Sequence, residues 1–406
     1  MTEPNADPLD VIVVGAGAAG IGIGVACSKL DLDVRILDRD GIGAAFEAWP
    51  DEMRMLTPSF PSGDVGLPDL NAITPRTSPA LALDREHPSG AEYAEYLRRI
   101  AAHYELRVET GVEVQDVHTS TEAATDVAVA VDGGTAAFTV ETSDGPLSAR
   151  NVIWAAGEFG SPNRTPFQGA DHGVHNAAVD SWAGFWDRQP DDECFVVGGD
   201  ESGIDAATAL VDVGASVTVL DPGAPWAFRS PDPSQSLSPY TIERLEAATD
   251  SGQLDLVAGA RVEGIDGTDG RYELQIAEVP VPTPEGEHPG ARPEGSYETT
   301  ATPVLATGFE PVLGPIEGHV PREDGRLSLT DRDESPSTPG LFFAGPAVSH
   351  EGIDFCFIYE FRTRFAVVAE TIADRLGVDT EPLDVYREEN MYLEDPSCCD
   401  PDICDC

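Results

Sequence analysis

Apolar residues along this chain fall into short blocks joined by glycine turns, and one arrangement of blocks occurs twice. Four β-formers, Val11-Ile12-Val13-Val14, run into Gly15-Ala16-Gly17-Ala18-Ala19-Gly20; an apolar stretch continues to Cys27, and a second apolar run ends at Asp38. Further on, Phe195-Val196-Val197 runs into Gly198-Gly199-Asp200-Glu201-Ser202-Gly203, and the run after it ends at Asp221. A short β-branched run predicts a buried strand, and a glycine turn leading into a longer apolar stretch predicts a packed helix. Each copy therefore reads as strand, turn, helix, strand, acid. Both acids stand 23 residues beyond the first glycine of their turn, 38 against 15 and 221 against 198.

The intervening stretches predict the rest of the framework. Residues 41–75 are loop-rich, and Ser89 with Glu92 makes a capping box for a helix expected over about Ala91 to Tyr104, where Tyr93, Leu97, Ile100 and Tyr104 repeat at helical spacing. Residues 108–153 alternate in short runs broken by Asp132-Gly133-Gly134 and Ser143-Asp144-Gly145, which predicts an antiparallel meander leading into Val152 to Gly157. A crossover over 158–170 opens the second copy, whose own meander includes the Pro/Gly/Glu-rich surface loop 280–297 and ends at Val304 to Phe309. Gly340 to Pro346 brings the chain back to a long helix expected over about Phe355 to Leu376 and stopped at Gly377. The expected fold is α/β, with two Rossmann-like nucleotide-binding domains, each carrying an antiparallel meander, and the second inserted in the first. The domains are 1–160 with 303–380, 161–302 between them, and a cysteine-rich tail over 381–406.

Charge narrows the classes of partner. Asp and Glu number 73 against 24 Lys plus Arg, a formal charge of −49, and Lys29 is the only lysine. With 41% hydrophobic residues the chain still has the means to fold. Such self-repulsion becomes tolerable at molar salt, where the Debye length is roughly 3 Å, so the composition fits a very salty cytoplasm. The acidic field opposes nucleic acid and anionic membranes. Met1 to Asp10 carries three acids and no base, unlike a secretory signal, and no run of 18 apolar residues suggests a span. A cytoplasmic protein with reduced cysteines is expected.

In the first turn Gly15 permits the sharp bend, Gly17 lets backbone approach a pyrophosphate, and Gly20 lets helix pack on strand, while Asp38 can accept from a ribose hydroxyl. The second turn carries Asp200 where the middle glycine belongs, a negative side chain beside the phosphate seat. Asp221 favours an unphosphorylated ribose and Arg229 a 2′-phosphate, which leaves the choice between NADH and NADPH open.

Together with the strand ends Ala155-Ala156-Gly157 and Ala306-Thr307-Gly308 and the late Phe343-Ala344-Gly345, these motifs resemble the two-dinucleotide-binding-domain flavoproteins, which include pyridine nucleotide-disulfide reductases and flavin-containing monooxygenases. The resemblance covers about residues 9–377; Met53 to Phe60 and Phe355 to Arg362 look most similar to enzymes related to bacillithiol-disulfide reductases and flavin monooxygenases. It implies FAD at Gly15, Gly17, Ala18, Ala19, Gly20, Asp38 and Arg39, with Val114, Ala156 and Gly157 beside it. It implies NAD(P)H at Gly198, Gly199, Glu201, Ser202, Gly203, Asp221 and Arg229, with Thr307 and Gly308. The flavin ring is implied near Thr57, Ser59 and Phe60 and under Gly345, Pro346 and the residues to Asp354. Relatives suggest a homodimer. Three departures stand out: Gly345-Pro346 replaces the family's frequent Gly-Asp, no closely spaced cysteine pair sits in either nucleotide domain, and Phe167-Gln168-Gly169 is followed by His172 and His175 rather than a histidine six residues after the phenylalanine.

Four of the seven cysteines, Cys398, Cys399, Cys404 and Cys406, fall in the last nine residues. They read as carriers of electrons to an external disulfide, as soft-metal ligands, or as an inert tail. Cys356 and His350 are the other candidates for chemistry, against plain packing and helix-capping roles. The expected function is an FAD-dependent NAD(P)H oxidoreductase that reduces a small acceptor, a disulfide or thiol-reactive compound. The alternatives are an oxygen-using flavin monooxygenase and a redox-sensing or metal-handling flavoprotein with little turnover.

Overall fold

A computed structural model of the chain describes residues 8–61, 67–120, 137–190, 193–230, 236–281, 289–323, 325–350 and 352–395. The predicted turn at Asp132-Gly133-Gly134, part of the loop 280–297 and the four tail cysteines lie outside the described residues. The chain divides into two compact units, residues 1–47, 58–158 and 311–406 in one and 48–57 with 159–310 in the other.

The first unit opens with β1 (Leu9–Val14), α1 (Ala18–Ser28) and β2 (Val34–Asp38), followed by α2 (Gly90–His103), β3 (Val108–Thr110), β4 (Val114–Thr119), β5 (Phe138–Thr142) and β6 (Leu147–Trp154). The sheet order is β3-β2-β1-β6-β5-β4. α1 is buried all round from Ala18 to Cys27, which is why its sequence is apolar without a polar stripe. α2 is capped as expected: Ser89 accepts from the Glu92 amide and Glu92 from the Ser89 amide. Val108–Thr110 differs from expectation. It pairs parallel to β2, because the α2 crossover returns the chain to the parallel edge, and the antiparallel meander is only β4, β5 and the first half of β6. The second half of β6 runs parallel to β1, with Val13 opposite Ile153.

The second unit contains β7 (Val174–His175), β8 (Cys194–Val197), α3 (Glu201–Asp212), β9 (Val217–Asp221), α4 (Pro239–Asp250) and β10 (Leu254–Ala258). The meander β11 (Ala260–Thr268), β12 (Arg271–Glu278) and β13 (Ser296–Thr299) follows, and β14 (Val304–Leu305) closes a parallel sheet of order β10-β9-β8-β14-β7. The domain boundaries fall elsewhere than the sequence suggests. Residues 303–310 stay with this unit because β14 is hydrogen-bonded between β7 and β8. Residues 48–57 join it through Glu52, whose carboxylate accepts from Ser181 Oγ at 2.8 Å and from the amides of Trp182 at 2.9 Å and Ala183 at 3.1 Å.

On its return the chain adds β15 (Leu341–Phe343) parallel to β6 and reaches α5 (Phe365–Leu376), stopped by Gly377 in the left-handed conformation, φ 71°, before a 3₁₀ turn over Glu381–Leu383 and a short helix over Asp384–Glu388. The single helix expected from Phe355 is instead a short helix over Ile358–Phe361, a 3₁₀ turn over Arg362–Arg364, and α5. The two buried arginines of that turn reach different acceptors. Arg362 Nη1 donates to the carbonyls of Asp69, Leu70 and Ala72, while Arg364 grips the Asp333 carboxylate and the carbonyls of Asp331 and Leu393. Gly22 of α1 lies against the Phe365 ring, where a Cβ would come within 2.2 Å of Cε2, so the two helices meet backbone to aromatic face.

Candidate dinucleotide sites

The first turn is held from three sides. Gly15 has φ +106°, and a Cβ on it would lie 2.3 Å from the Ala155 carbonyl oxygen at the end of β6. A Cβ on Gly20 would lie 1.8 Å from the Gly15 carbonyl oxygen, so both positions exclude side chains. A Cβ on Gly17 would meet nothing within 4 Å. That open face sits at the start of α1, where the first N–H groups have no intrahelical acceptor and the helix dipole is positive. The Asp38 carboxylate accepts from the amides of Ala16 (2.7 Å), Asp40 (2.8 Å) and Gly41 (2.8 Å). A carboxylate offers about four lone-pair sites, so one remains for a ribose hydroxyl. These residues fit a dinucleotide.

Two of the expected neighbours touch this turn, Ala156 beside Gly15 and Gly345 beside Ala19. Gly345, φ +105°, packs against Ala19, a Cβ on it lying 3.0 Å from the Ala19 Cβ, and the Ala344 amide donates to the Trp154 carbonyl. Gly157, φ +69°, accepts from the Val312 amide. Val114 begins β4 opposite Thr142, and Pro346 is half-buried. Arg39 is more than half exposed and pairs with Asp40. Ser59 is buried, its hydroxyl accepting from Asn71 Nδ2 at 2.9 Å, and Phe60 is half-buried. Thr57, by contrast, falls in the second compact unit.

The second turn repeats the frame and alters its open face. Gly198 has φ +102°, a Cβ there would lie 2.2 Å from the Ala306 carbonyl oxygen, and one on Gly203 would lie 2.0 Å from the Gly198 carbonyl oxygen. Asp221 accepts from the amides of Gly199 (2.8 Å), Gly223 (2.6 Å) and Ala224 (2.7 Å), the same three-donor pattern as Asp38. Gly199 is required by a tryptophan: a Cβ on it would come 2.4 Å from Trp226 Cζ3, and Trp226 Nε1 donates to the Pro289 carbonyl. Asp200 caps the start of α3 without a side-chain hydrogen bond and is exposed; desolvation and then the Asp221 carboxylate push its carboxyl up. Glu201 faces α4, where it accepts from the Ser238 amide and the Thr241 hydroxyl, and burial pushes it up as well. Ser202 is half-buried in the first turn of α3. Arg229 is exposed and donates to the Phe228 carbonyl. Thr307 donates to the Asn163 carbonyl, and the Gly308 carbonyl accepts from the Asn163 amide and contacts His175 Nε2 at 3.2 Å.

Of the residues expected to do chemistry, His350 is buried with Nε2 2.5 Å from Asp333 Oδ1, and Asp333 also accepts from Arg364 Nε and Nη2, each at 3.0 Å. Cys356 is exposed, while Cys27 and Cys194 are buried and pushed up to about 12. The segment Phe167 to Gly173 packs on β11: Gln168 bridges Gly264, and the His172 ring fills the space beside Gly267. No group of three or more possible metal ligands occurs among the described residues, nor does a helix long and apolar enough to cross a membrane.

Asp333, Glu52 and Trp226 escaped the sequence reading. Two arginines inside the apolar run Phe361 to Val368 were the available signal for Asp333, since buried guanidinium groups require acceptors. Glu158, next to Gly157, was also missed; burial and then the Asp354 carboxylate push it up, and Asp354 is itself gripped by Arg326 at 2.7 and 2.8 Å.

Known proteins match this arrangement. Residues 12–345 match the family described as pyridine nucleotide-disulphide oxidoreductase. The bacilliredoxin reductase Bdr of Bacillus subtilis is 26% identical over 59% of this chain and 66% of its own length. A ferredoxin–NADP reductase of Gluconobacter oxydans is 29% identical over 55% of this chain and 60% of its own length. The matches thus span less than two thirds of those relatives. In fold, the chain is similar to a bacillithiol disulfide reductase from Bacillus cereus, with a TM-score of 0.64 and 24% identity over 91% of this chain and 99% of that one. A flavin-containing monooxygenase from Stenotrophomonas maltophilia gives a TM-score of 0.63 and 20% identity over the same shares. With both dinucleotide turns built alike and the family matched across most of its length, the chain belongs to the pyridine nucleotide-disulphide oxidoreductases, a family of flavin-dependent NAD(P)H oxidoreductases.

Proposed function

We propose that the first module holds FAD, the second holds a reduced nicotinamide dinucleotide, and the protein reduces a small disulfide or other thiol-reactive acceptor. The observation that carries this reading is the repeated turn, in which Gly15 and Gly20 in one module and Gly198 and Gly203 in the other exclude side chains in the same way. When bound, the two cofactors supply hydride transfer from nicotinamide to flavin, and the chain supplies their binding and orientation.

The N-terminal amides of α1 and the open face at Gly17 would hold the FAD pyrophosphate, and Asp38, which locks the turn, would have a lone pair left for the ribose. Asp221 does the same for the nicotinamide dinucleotide, with Trp226 as a wall against Gly199. The Asp333 carboxylate fixes His350 and Arg364, and so holds the hairpin over 349–354 against the start of the last helix. Of the described cysteines Cys356 is exposed while Cys27 and Cys194 are buried, and the sequence adds four further thiols in its tail. Among the named relatives the bacilliredoxin reductase supports this class of acceptor, whereas the ferredoxin–NADP reductase points to ferredoxin.

The test is steady-state oxidation of NADH and NADPH by the holoprotein in concentrated salt, with a panel of low-molecular-weight disulfides as acceptors and a form truncated after Asp395 in parallel. Disulfide-dependent turnover that falls on truncation is the expected result. Turnover only with oxygen, giving an oxygenated product, would favour the monooxygenase chemistry instead.

A further inference from the structure

The two modules differ in one charge at the point where a pyrophosphate must approach. The face above Gly17 is open and uncharged, while the corresponding position of the second module is Asp200. The Asp200 carboxylate makes no capping hydrogen bond, and no ion pair among the described residues reaches it. The other local charges are accounted for. Asp221 is bound by three amides, Glu201 by Ser238 and Thr241, and Arg244 by Asp205 one turn further along α3, while Arg229 is exposed and hydrogen-bonded to a backbone carbonyl. Asp200 is therefore the uncompensated negative charge at the mouth of a site meant for a dianionic group.

We infer that Asp200 makes nicotinamide-dinucleotide binding by the second module depend on high salt: the carboxylate repels the pyrophosphate in dilute electrolyte and is masked in concentrated electrolyte. This rests on the reading that the second module holds the reductant. Two phosphate charges about 5 Å from a carboxylate weaken binding about tenfold even at the dielectric of water. Screening removes most of that repulsion once the Debye length falls from about 8 Å at physiological ionic strength to about 3 Å at molar salt. The site would thus be matched to the same electrolyte that the charge of −49 calls for, and Asp200 would act as a specificity residue for ionic conditions.

The experiment is calorimetric titration of the full-length holoprotein with NAD⁺, a probe that is not turned over, from about 0.3 M to about 3 M KCl. Circular dichroism at each salt fixes the range over which the fold is intact. Wild type should gain about threefold in affinity across the range, the part of the repulsion that screening removes between those two salts. Asp200→Asn, which keeps the shape, and Asp200→Gly, which restores the open face, should bind tightly already at the low end and show a flattened salt dependence. Asp269→Asn, an exposed change at the β11–β12 turn, controls for net charge and should behave as wild type. Parallel salt dependence in wild type, Asp200→Asn and Asp200→Gly overturns the inference while leaving the nicotinamide site standing. Failure of wild type and both Asp200 variants to bind NAD⁺ or, in a parallel titration, NADP⁺ at any salt overturns the assignment of the second module itself.

Discussion

Replacing Asp333 by alanine should be the most damaging change in the first unit outside the glycine turn. The Asp333 side chain is 0% exposed and that of Arg364 2%, and the carboxylate serves His350 as well. Removing one partner of a buried pair strands the other, at about 3–5 kcal/mol. Arg364 keeps carbonyl acceptors at Asp331, Leu393 and Glu394, which places the loss toward the lower end of that range. Asp333 also has φ +60°, where alanine is strained by about 1 kcal/mol and asparagine is tolerated. The sum for Asp333→Ala is about 4 kcal/mol, or about 10 °C in melting temperature for a unit of this size. Asp333→Asn keeps the backbone and an acceptor oxygen and should lose about half as much, and Asp333→Gly, free of strain but without the carboxylate, should fall between the two. The assay is urea unfolding in concentrated salt, followed by circular dichroism. A stability for Asp333→Ala within about 1 kcal/mol of wild type would refute the reasoning, because a buried arginine would then have been shown to need no counter-charge. Equal losses for the alanine and glycine variants would refute the strain component alone.

Other outcomes follow from single sites. Glu52→Ala should loosen residues 48–57 from the second unit and destabilise it by about 1–2 kcal/mol, since it removes the carboxylate that accepts from two amides at the start of a helix. Burial pushes Glu52 up, but the donors Ala183, Trp182 and Ser181 outweigh it and hold the carboxyl below 4.5. Its contribution is therefore complete above that value and lost as pH falls through the lower folded pKa, and acid titration of Glu52→Ala should show a shallower loss of stability in that window than wild type. Alkylation of the folded protein at neutral pH should mark Cys356 well ahead of Cys27 and Cys194, which burial raises to about 12; peptide mass spectrometry reads the three sites, and equal labelling would contradict the packing. Gly20→Ala, whose Cβ would sit 1.8 Å from the Gly15 carbonyl oxygen, should empty the first module while the second unit keeps its circular dichroism.

The parts of this fold legible in the sequence are those set by neighbours a few residues apart. The glycine turns announce themselves because a side chain at Gly15, Gly20, Gly198 or Gly203 would collide with backbone, and Ser89 with Glu92 or Gly377 at the end of α5 signal helix ends by the same local logic. Interactions across the chain left no such trace. Glu52 caps a helix about 130 positions away, so nothing near it marks the excursion of 48–57 into the second unit. Asp333 stands in an acidic stretch like many others, and only the fold reveals that it is the acceptor for buried Arg364 and His350. The candidate site was legible to the same degree: its backbone cradles could be read, whereas the tryptophan against Gly199 could not, because the glycine there looked like part of the phosphate turn.

The account stands or falls on the first module holding a flavin. Acid extraction of the purified full-length chain, kept throughout in concentrated salt and supplied with FAD, followed by chromatography of the released cofactor, measures this directly. Stoichiometric FAD from wild type and none from Gly20→Ala is the predicted result. A colourless wild-type chain that takes up no FAD under conditions where its circular dichroism shows an intact fold would contradict it.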